Sequence, residues 1–189
     1  MAAAARTVME HSLPPNITEP EDAPTPASPP APQGLSMVVF SGDLDKVLAA
    51  FIIANGAAAM DLPVSMFFTF WGLNVLRREE PVAVTTKKTT MEKMFGAMMP
   101  RGPKDLQLSK MKMAGLGTRL IKREMSKKHV DSLTKLIASA REQNVRMIAC
   151  KMSMDLMGIR KEELLPGITI ANVGTFIDSA DQSRITLFI

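Results

Sequence analysis

The chain is predicted to form an α/β domain on a mainly parallel, five-stranded sheet covered on both faces. Three observations carry that prediction. Short apolar runs that end in turn residues recur along the chain, and segments of helical character lie between them. From Val130 onward the order is a regular alternation of helix and strand, which suits parallel strands joined by helical crossovers. At 189 residues the chain is also long enough to bury one sizeable core without disulfides or a structural metal.

Residues 1 to 33 read as a tail outside the fold. Ala2 to Ala5 are followed by proline at positions 14, 15, 20, 24, 26, 29, 30 and 32, and little there can offset the entropy of ordering. The domain runs from 34 to 189 and begins in earnest at Leu35. Ser36 to Phe40 form an apolar strand closed by the turn residues Ser41-Gly42. Asp43 then stands at an N-cap position, and Leu44 to Met60 form a helix with Asp45 in its first turn, stopped by Asp61-Leu62-Pro63. Val64 to Phe70 are a second strand, rich in aromatic and β-branched residues, and Trp71 to Leu76 a turn with one helical turn.

The segment from 79 to 129 is a Met- and Lys-rich helical insertion. Helices are expected over Met91–Met98, Leu106–Met113 and Thr118–Met125, with a break at Pro100 to Pro103. Its methionines at 91, 94, 98, 99, 111, 113 and 125 suit core packing, with a deformable lid as the alternative. After it, Val130 to Gln143 are an amphipathic helix, Val145 to Ala149 the third strand and Lys151 to Met157 a helix. Lys161 to Leu164 add a turn, Ile168 to Ala171 a fourth strand, Val173 to Ala180 a helix, and Arg184 to Ile189 the fifth strand.

Composition narrows the classes. A single cysteine cannot form an internal disulfide, and the N-terminus lacks a charged region leading into an apolar core, so cytoplasmic residence is expected. The net charge is +4, but nine Lys or Arg fall between Arg101 and Lys128 against Asp105 and Glu124. Such a block attracts an acidic partner or an anionic ligand, a solvated helix face being the ordinary alternative. It contains no aromatic residue, and the chain has no Tyr and one Trp, so no nucleic-acid partner is expected. Val47 to Leu73 are strongly apolar, yet Asn55, Asp61 and Pro63 interrupt the roughly 20 apolar residues a membrane span requires, so no stable span is expected.

Several chemistries fail on inventory. His11 and His129 have no cysteine or carboxylate at ligand spacing, which removes a zinc site and leaves a Cys–His nucleophile without local support. Gly115-Leu116-Gly117 lacks the third glycine of a dinucleotide fingerprint and a strand before it, and no phosphate-binding G-x-x-x-x-G-K-[ST] sequence is present. No cofactor is expected.

What remains is Cys150, which lies where an apolar run ends and a helical run begins. At the carboxyl edge of a parallel strand it would stand in the ligand crevice of an open α/β sheet, with the first amides of the next helix aimed at the sulfur. That placement favours thiolate over thiol; the alternative is a small buried hydrophobe. A nucleophilic Cys150 can accept sulfane sulfur as a persulfide and yield it to a partner's thiolate, which requires an accessible edge and donors for the anionic sulfur. Lys151, the amides of residues 152 and 153 and the hydroxyl of Ser153 are placed to supply them. A thiol peroxidase would need an activating Thr and Arg in a local motif, and none is recognisable.

Three stretches carry a resemblance: Val38-Val39-Phe40-Ser41-Gly42-Asp43, Phe68-Thr69-Phe70-Trp71-Gly72-Leu73-Asn74, and Ile148 to Ile159 around Cys150-Lys151-Met152-Ser153. From about residue 35 to 189 the chain resembles the DsrE/DsrF/DrsH-like family, in its longer DsrE-like branch. The resemblance implies a three-layer α/β/α fold and oligomeric assembly. It also implies relay of sulfane sulfur or thiosulfonate on the cysteine after the third strand, with a small sulfur-carrier or rhodanese-like protein as partner. Cys150 matches that cysteine by position, whereas the insertion at 79–129 departs from the shortest relay proteins. By the crevice rule the loops after strands one and two should converge on Cys150, which adds Ser41, Gly42 and Asp43 with Phe70, Trp71 and Gly72 as substrate-binding walls. The expected activity is that of a sulfurtransferase or sulfur carrier. The alternative is a non-catalytic, homo-oligomeric protein that binds an anionic ligand or acidic partner.

Overall fold

The computed structural model describes residues 33–110 and 115–189. All of the tail except Gln33, and residues 111–114 of the insertion, lie outside the described residues. Five strands, β1 (Leu35–Val39), β2 (Val64–Phe68), β3 (Arg146–Cys150), β4 (Thr169–Ala171) and β5 (Ile185–Phe188), form one sheet in the order β4-β3-β2-β1-β5. Every neighbouring pair is parallel, with Val39 beside Phe68, Phe68 beside Ala149 and Cys150 beside Ala171.

That order dictates where the helices go. From β1 through β2 and β3 to β4 each step advances one strand in the same direction. Right-handed crossovers therefore place α1 (Leu44–Ala58), α4 (Leu133–Glu142) and α5 (Lys151–Met157) on one face. The last connection runs back past β3, β2 and β1 to the far edge, so the same handedness puts α6 (Val173–Asp181) on the opposite face. The result is a three-layer α/β/α domain with unequal layers.

The two faces differ in depth accordingly. On the first, Met37, Val39, Met66, Phe68, Met147 and Ala149 pack with α1, α4 and the methionines of α5. Ala50 and Ala54 are fully buried, and their small side chains let α1 approach the sheet closely enough to bury Phe51 completely, which is worth about 2–3 kcal/mol. On the second face the buried cluster among the described residues is Phe67, Ile148, Cys150 and Phe176, with Val38, Ala171 and Ala180 half-buried around it.

Several expected boundaries move. Strand two ends at Phe68, because Phe70 takes φ 45°, a left-handed backbone no extended ladder accepts, and starts a 3₁₀ helix over Phe70–Leu76. Within the helix expected over 106–113, residues 106–110 are not helical. Their backbone groups are spent elsewhere: the Gln107 carbonyl accepts from Leu44 N–H at 2.8 Å, and the Leu108 N–H donates to Thr118 Oγ1 at 3.2 Å. The fourth helix starts at Leu133 rather than Val130, since His129 takes φ 56° and Ser132 caps it by accepting from Lys135 N–H.

The insertion supplies α2 (Thr90–Met98), begun by a reciprocal capping box between Thr89 and Glu92, and α3 (Leu116–Lys127). Met91, Met94 and Met98 of α2 are exposed, so these methionines do not pack the core as expected; Met99 is buried. No helix among the described residues is long and apolar enough to cross a membrane.

Candidate functional site

The loops after β1 and β2 meet at the carboxyl edge of the sheet, as the crevice rule requires. A Cβ on Gly42 would come within 2.8 Å of the Trp71 carbonyl oxygen, and one on Gly72 would run into that of Val39. Gly72 N–H donates to the Phe40 carbonyl at 2.9 Å, tying the loops together. Both glycines are therefore explained by backbone contact between the two loops rather than by a ligand. Phe40 packs on Phe70 at 5.5 Å and on Phe188 at 5.9 Å, and with Trp71 forms a partly exposed aromatic rim.

The polar residues of the first loop are occupied locally. Ser41 Oγ donates to Asp43 Oδ2 at 3.1 Å, and Lys46 pairs with the same carboxylate at 2.9 Å. Asp43 holds the N-cap position of α1, yet its side chain accepts nothing from the first turn. Lys151 does not reach over the sulfur as expected: it points into solvent and pairs with Asp155 at 3.0 Å, one helical turn on.

Cys150 ends β3 and is at once the N-cap of α5, with an extended backbone and no capping hydrogen bond from its side chain. The thiol is not at an open edge. It is 4 % exposed, enclosed with Phe67, Ile148 and Phe176, and the reason lies in topology. The β4–β5 crossover lays α6 across the second face, and Cys150 alternates onto that face with Ile148. Two roomy cavities, of about 790 and 550 Å³, lie away from it.

Ser153, fully buried, shares a 2.7 Å hydrogen bond with Thr69 Oγ1. Sequence reasoning named Ser153 but passed over Thr69. The signal was available in register: Phe68 lies opposite Ala149, so the next residue of the β2 loop comes beside Cys150.

A second polar centre was missed altogether. Glu163, 3 % exposed on a 3₁₀ turn after α5, faces Arg77 Nη2 at 3.5 Å, Arg101 Nη1 at 3.6 Å and the Lys88 ammonium. Burial by itself would raise its carboxyl pKa. The hydrogen bonds from Lys88 and the Arg160 N–H and the charges of Lys88 and Arg77 outweigh that and hold it below the ordinary value. Arg77 is fully buried, and desolvation, then repulsion from Arg101, pull its pKa down despite the pull of Glu163. The expected basic block is likewise partly folded onto neighbours: Arg101 turns to Glu163, Lys104 to Glu79 at 2.7 Å, and Lys127 and Lys128 to Glu124. Lys112 lies outside the described residues. Among the described residues, no group of three His, Cys, Asp or Glu is arranged to hold a metal ion.

A model of the DsrE/DsrF/DrsH-like family matches residues 32–188. The chain belongs to that family. Among curated relatives it is 51 % identical over 154 residues to the uncharacterized protein YrkE of Bacillus subtilis, covering 82 % of this chain and 95 % of that one. It is 34 % identical over 159 residues to the sulfur carrier protein DsrE2 of Allochromatium vinosum, covering 82 % and 97 %. A crystal structure of the ychN protein of E. coli is similar at a TM-score of 0.49 and 11 % identity, over 83 % of this chain and 99 % of that one. In this chain's sheet Cys150 marks the carboxyl end of the interior strand β3.

Proposed function

We propose that the chain is a sulfur-relay protein that takes sulfane sulfur on Cys150 and passes it to the thiolate of a docked partner. The observation that carries the reading is a cysteine at the N-cap of α5. Serine, aspartate or asparagine would stabilise that helix start by about 1 kcal/mol more, so helix stability does not select a thiol there. The thiol makes no capping hydrogen bond where it is buried, but the first-turn amides of α5 are the next donors along the chain for a sulfur that turns outward as an anion. Family membership and the 34 % identity to a sulfur carrier support the same reading.

In the transfer, the Cys150 thiolate attacks the outer sulfur of a donor persulfide. A new S–S bond forms, the donor's S–S bond breaks, and the donor leaves as its thiolate. The partner's thiolate then takes the outer sulfur from Cys150, whose thiolate is regenerated, with no net oxidation. Access requires Phe176 to move aside. Phe176 is the one buried residue of α6 and Asn172 does not cap that helix through its side chain, so little apolar burial holds its first turns in place. The aromatic rim of Phe40, Trp71 and Phe188 at the same sheet edge suits a docking small sulfur-carrier or rhodanese-like protein.

Mass spectrometry after incubation with a persulfide donor should find one added sulfur on Cys150, faster in Phe176→Ala, and none in Cys150→Ser. Equal uptake by Cys150→Ser, or an unmodified Cys150 in the opened variant, overturns the proposal. The burial of the thiol favours a second reading, a non-catalytic binding protein in which Cys150 only packs. A thiol that stays inert to alkylation in both wild type and Phe176→Ala would establish it.

A further inference from the structure

The cavity of about 550 Å³ between the insertion and the turn after α5 lies apart from Cys150 and has no part in the relay chemistry. Its wall carries Lys87, Lys88, Lys93 and Arg101 against two acids, Glu92 and Glu163. Neither acid has charge to spare. Glu92 is committed to Arg160 at 2.8 Å and to the Thr89 N–H at 2.7 Å. Glu163 is already divided among Arg77, Lys88 and Arg101.

Behind that carboxylate the fully buried Arg77 keeps Nε without a hydrogen-bond partner and holds Glu163 only through Nη2 at 3.5 Å, its Nη1 reaching the Asn74 side chain and the Pro100 carbonyl. A buried cation requires compensation, and the one carboxylate that serves Arg77 is shared with the two partly exposed cations Lys88 and Arg101. The volume is that of a small-molecule site, and Val82, Val84 and Ala97 give it an apolar side opposite the charged one.

We infer that this cavity binds a small phosphate-class oxyanion, held between Lys88 and Arg101 and neutralising the excess positive charge around Glu163. The exposed Lys87 and Lys93 at the mouth draw the anion in. The ligand thereby joins the insertion to the sheet domain, since Lys88 and Arg101 come from one and Glu163 from the other.

The test is calorimetric titration of the full chain with inorganic phosphate, at constant ionic strength balanced with chloride. Saturable binding is expected, weakened at least tenfold in Arg101→Gln and in the double variant Lys87→Gln/Lys93→Gln. The double variant changes only exposed side chains and so keeps the test valid if the first fails to fold. Lys127→Gln/Lys128→Gln, an exposed basic pair at the C-terminal end of α3, serves as the control and should bind as wild type does. Absence of saturable binding overturns the inference, as does undiminished affinity in the cavity variants or an equal loss in the control.

Discussion

Replacing Glu163 with glutamine removes one negative charge and almost no volume, which isolates the electrostatic role of the centre. Breaking a buried ion pair by neutralising one partner costs roughly 3–5 kcal/mol, because the other charge stays buried and unpaired. Here the low end applies. Lys88 and Arg101 are 11 % and 26 % exposed and recover some hydration, whereas Arg77, at 0 %, recovers none. With a urea slope of about 2 kcal/mol per molar, a loss of about 3 kcal/mol lowers the unfolding midpoint by about 1.5 M. The melting temperature should fall by about 6–12 °C.

The pH dependence of that difference is also determined. The native pKa of Glu163 lies below its unfolded value, so its contribution is complete above about pH 4.3 and disappears as pH falls through the native value. The stability curves of wild type and Glu163→Gln should stand apart at neutral pH and converge in acid. A loss below about 1 kcal/mol at pH 7, or a gap that persists unchanged into acid, would refute the argument, leaving Arg77 adequately served by Asn74 and Pro100.

Three further outcomes follow from the site. Phe176→Ala empties the cover over Cys150; it should cost about 3 kcal/mol in urea unfolding and speed thiol labelling by Ellman's reagent at least tenfold. Ser153→Ala orphans Thr69 Oγ1 and should cost about 1–3 kcal/mol, while the double variant with Thr69→Val should cost less than the sum of the singles in a double-mutant cycle. Gly72→Ala forces a methyl against the Val39 carbonyl, so soluble expression should fail or stability drop by more than about 3 kcal/mol, read by circular dichroism against wild type.

The strands and most helices were legible because their signals are local. Val64 to Phe68 alternate no polarity because both faces are covered, and Lys151–Met157 was placed to the residue by the strand before it and Gly158 after it. The segment 106–110 was misread because its buried Leu106 and Leu108, only two residues apart, serve an irregular chain that lends its backbone groups to α1 and α3. Within the candidate site, the meeting of the Ser41–Asp43 and Phe70–Gly72 loops was foreseeable from parallel topology. The ion pair of Lys151 with Asp155 was also available in the sequence, as an i,i+4 pair on one helix face.

By itself the sequence determined a parallel α/β domain, and with it a cysteine at the carboxyl end of a strand, because periodicity and turn residues act over a few positions of chain. Only the tertiary structure decided that this thiol lies under Phe176, since the side of the sheet taken by α6 depends on the order of all five strands. The same holds for Glu163. Its cations Arg77, Lys88 and Arg101 lie far from it in the chain, and their charges sum at one point only once folding has brought them there and excluded water.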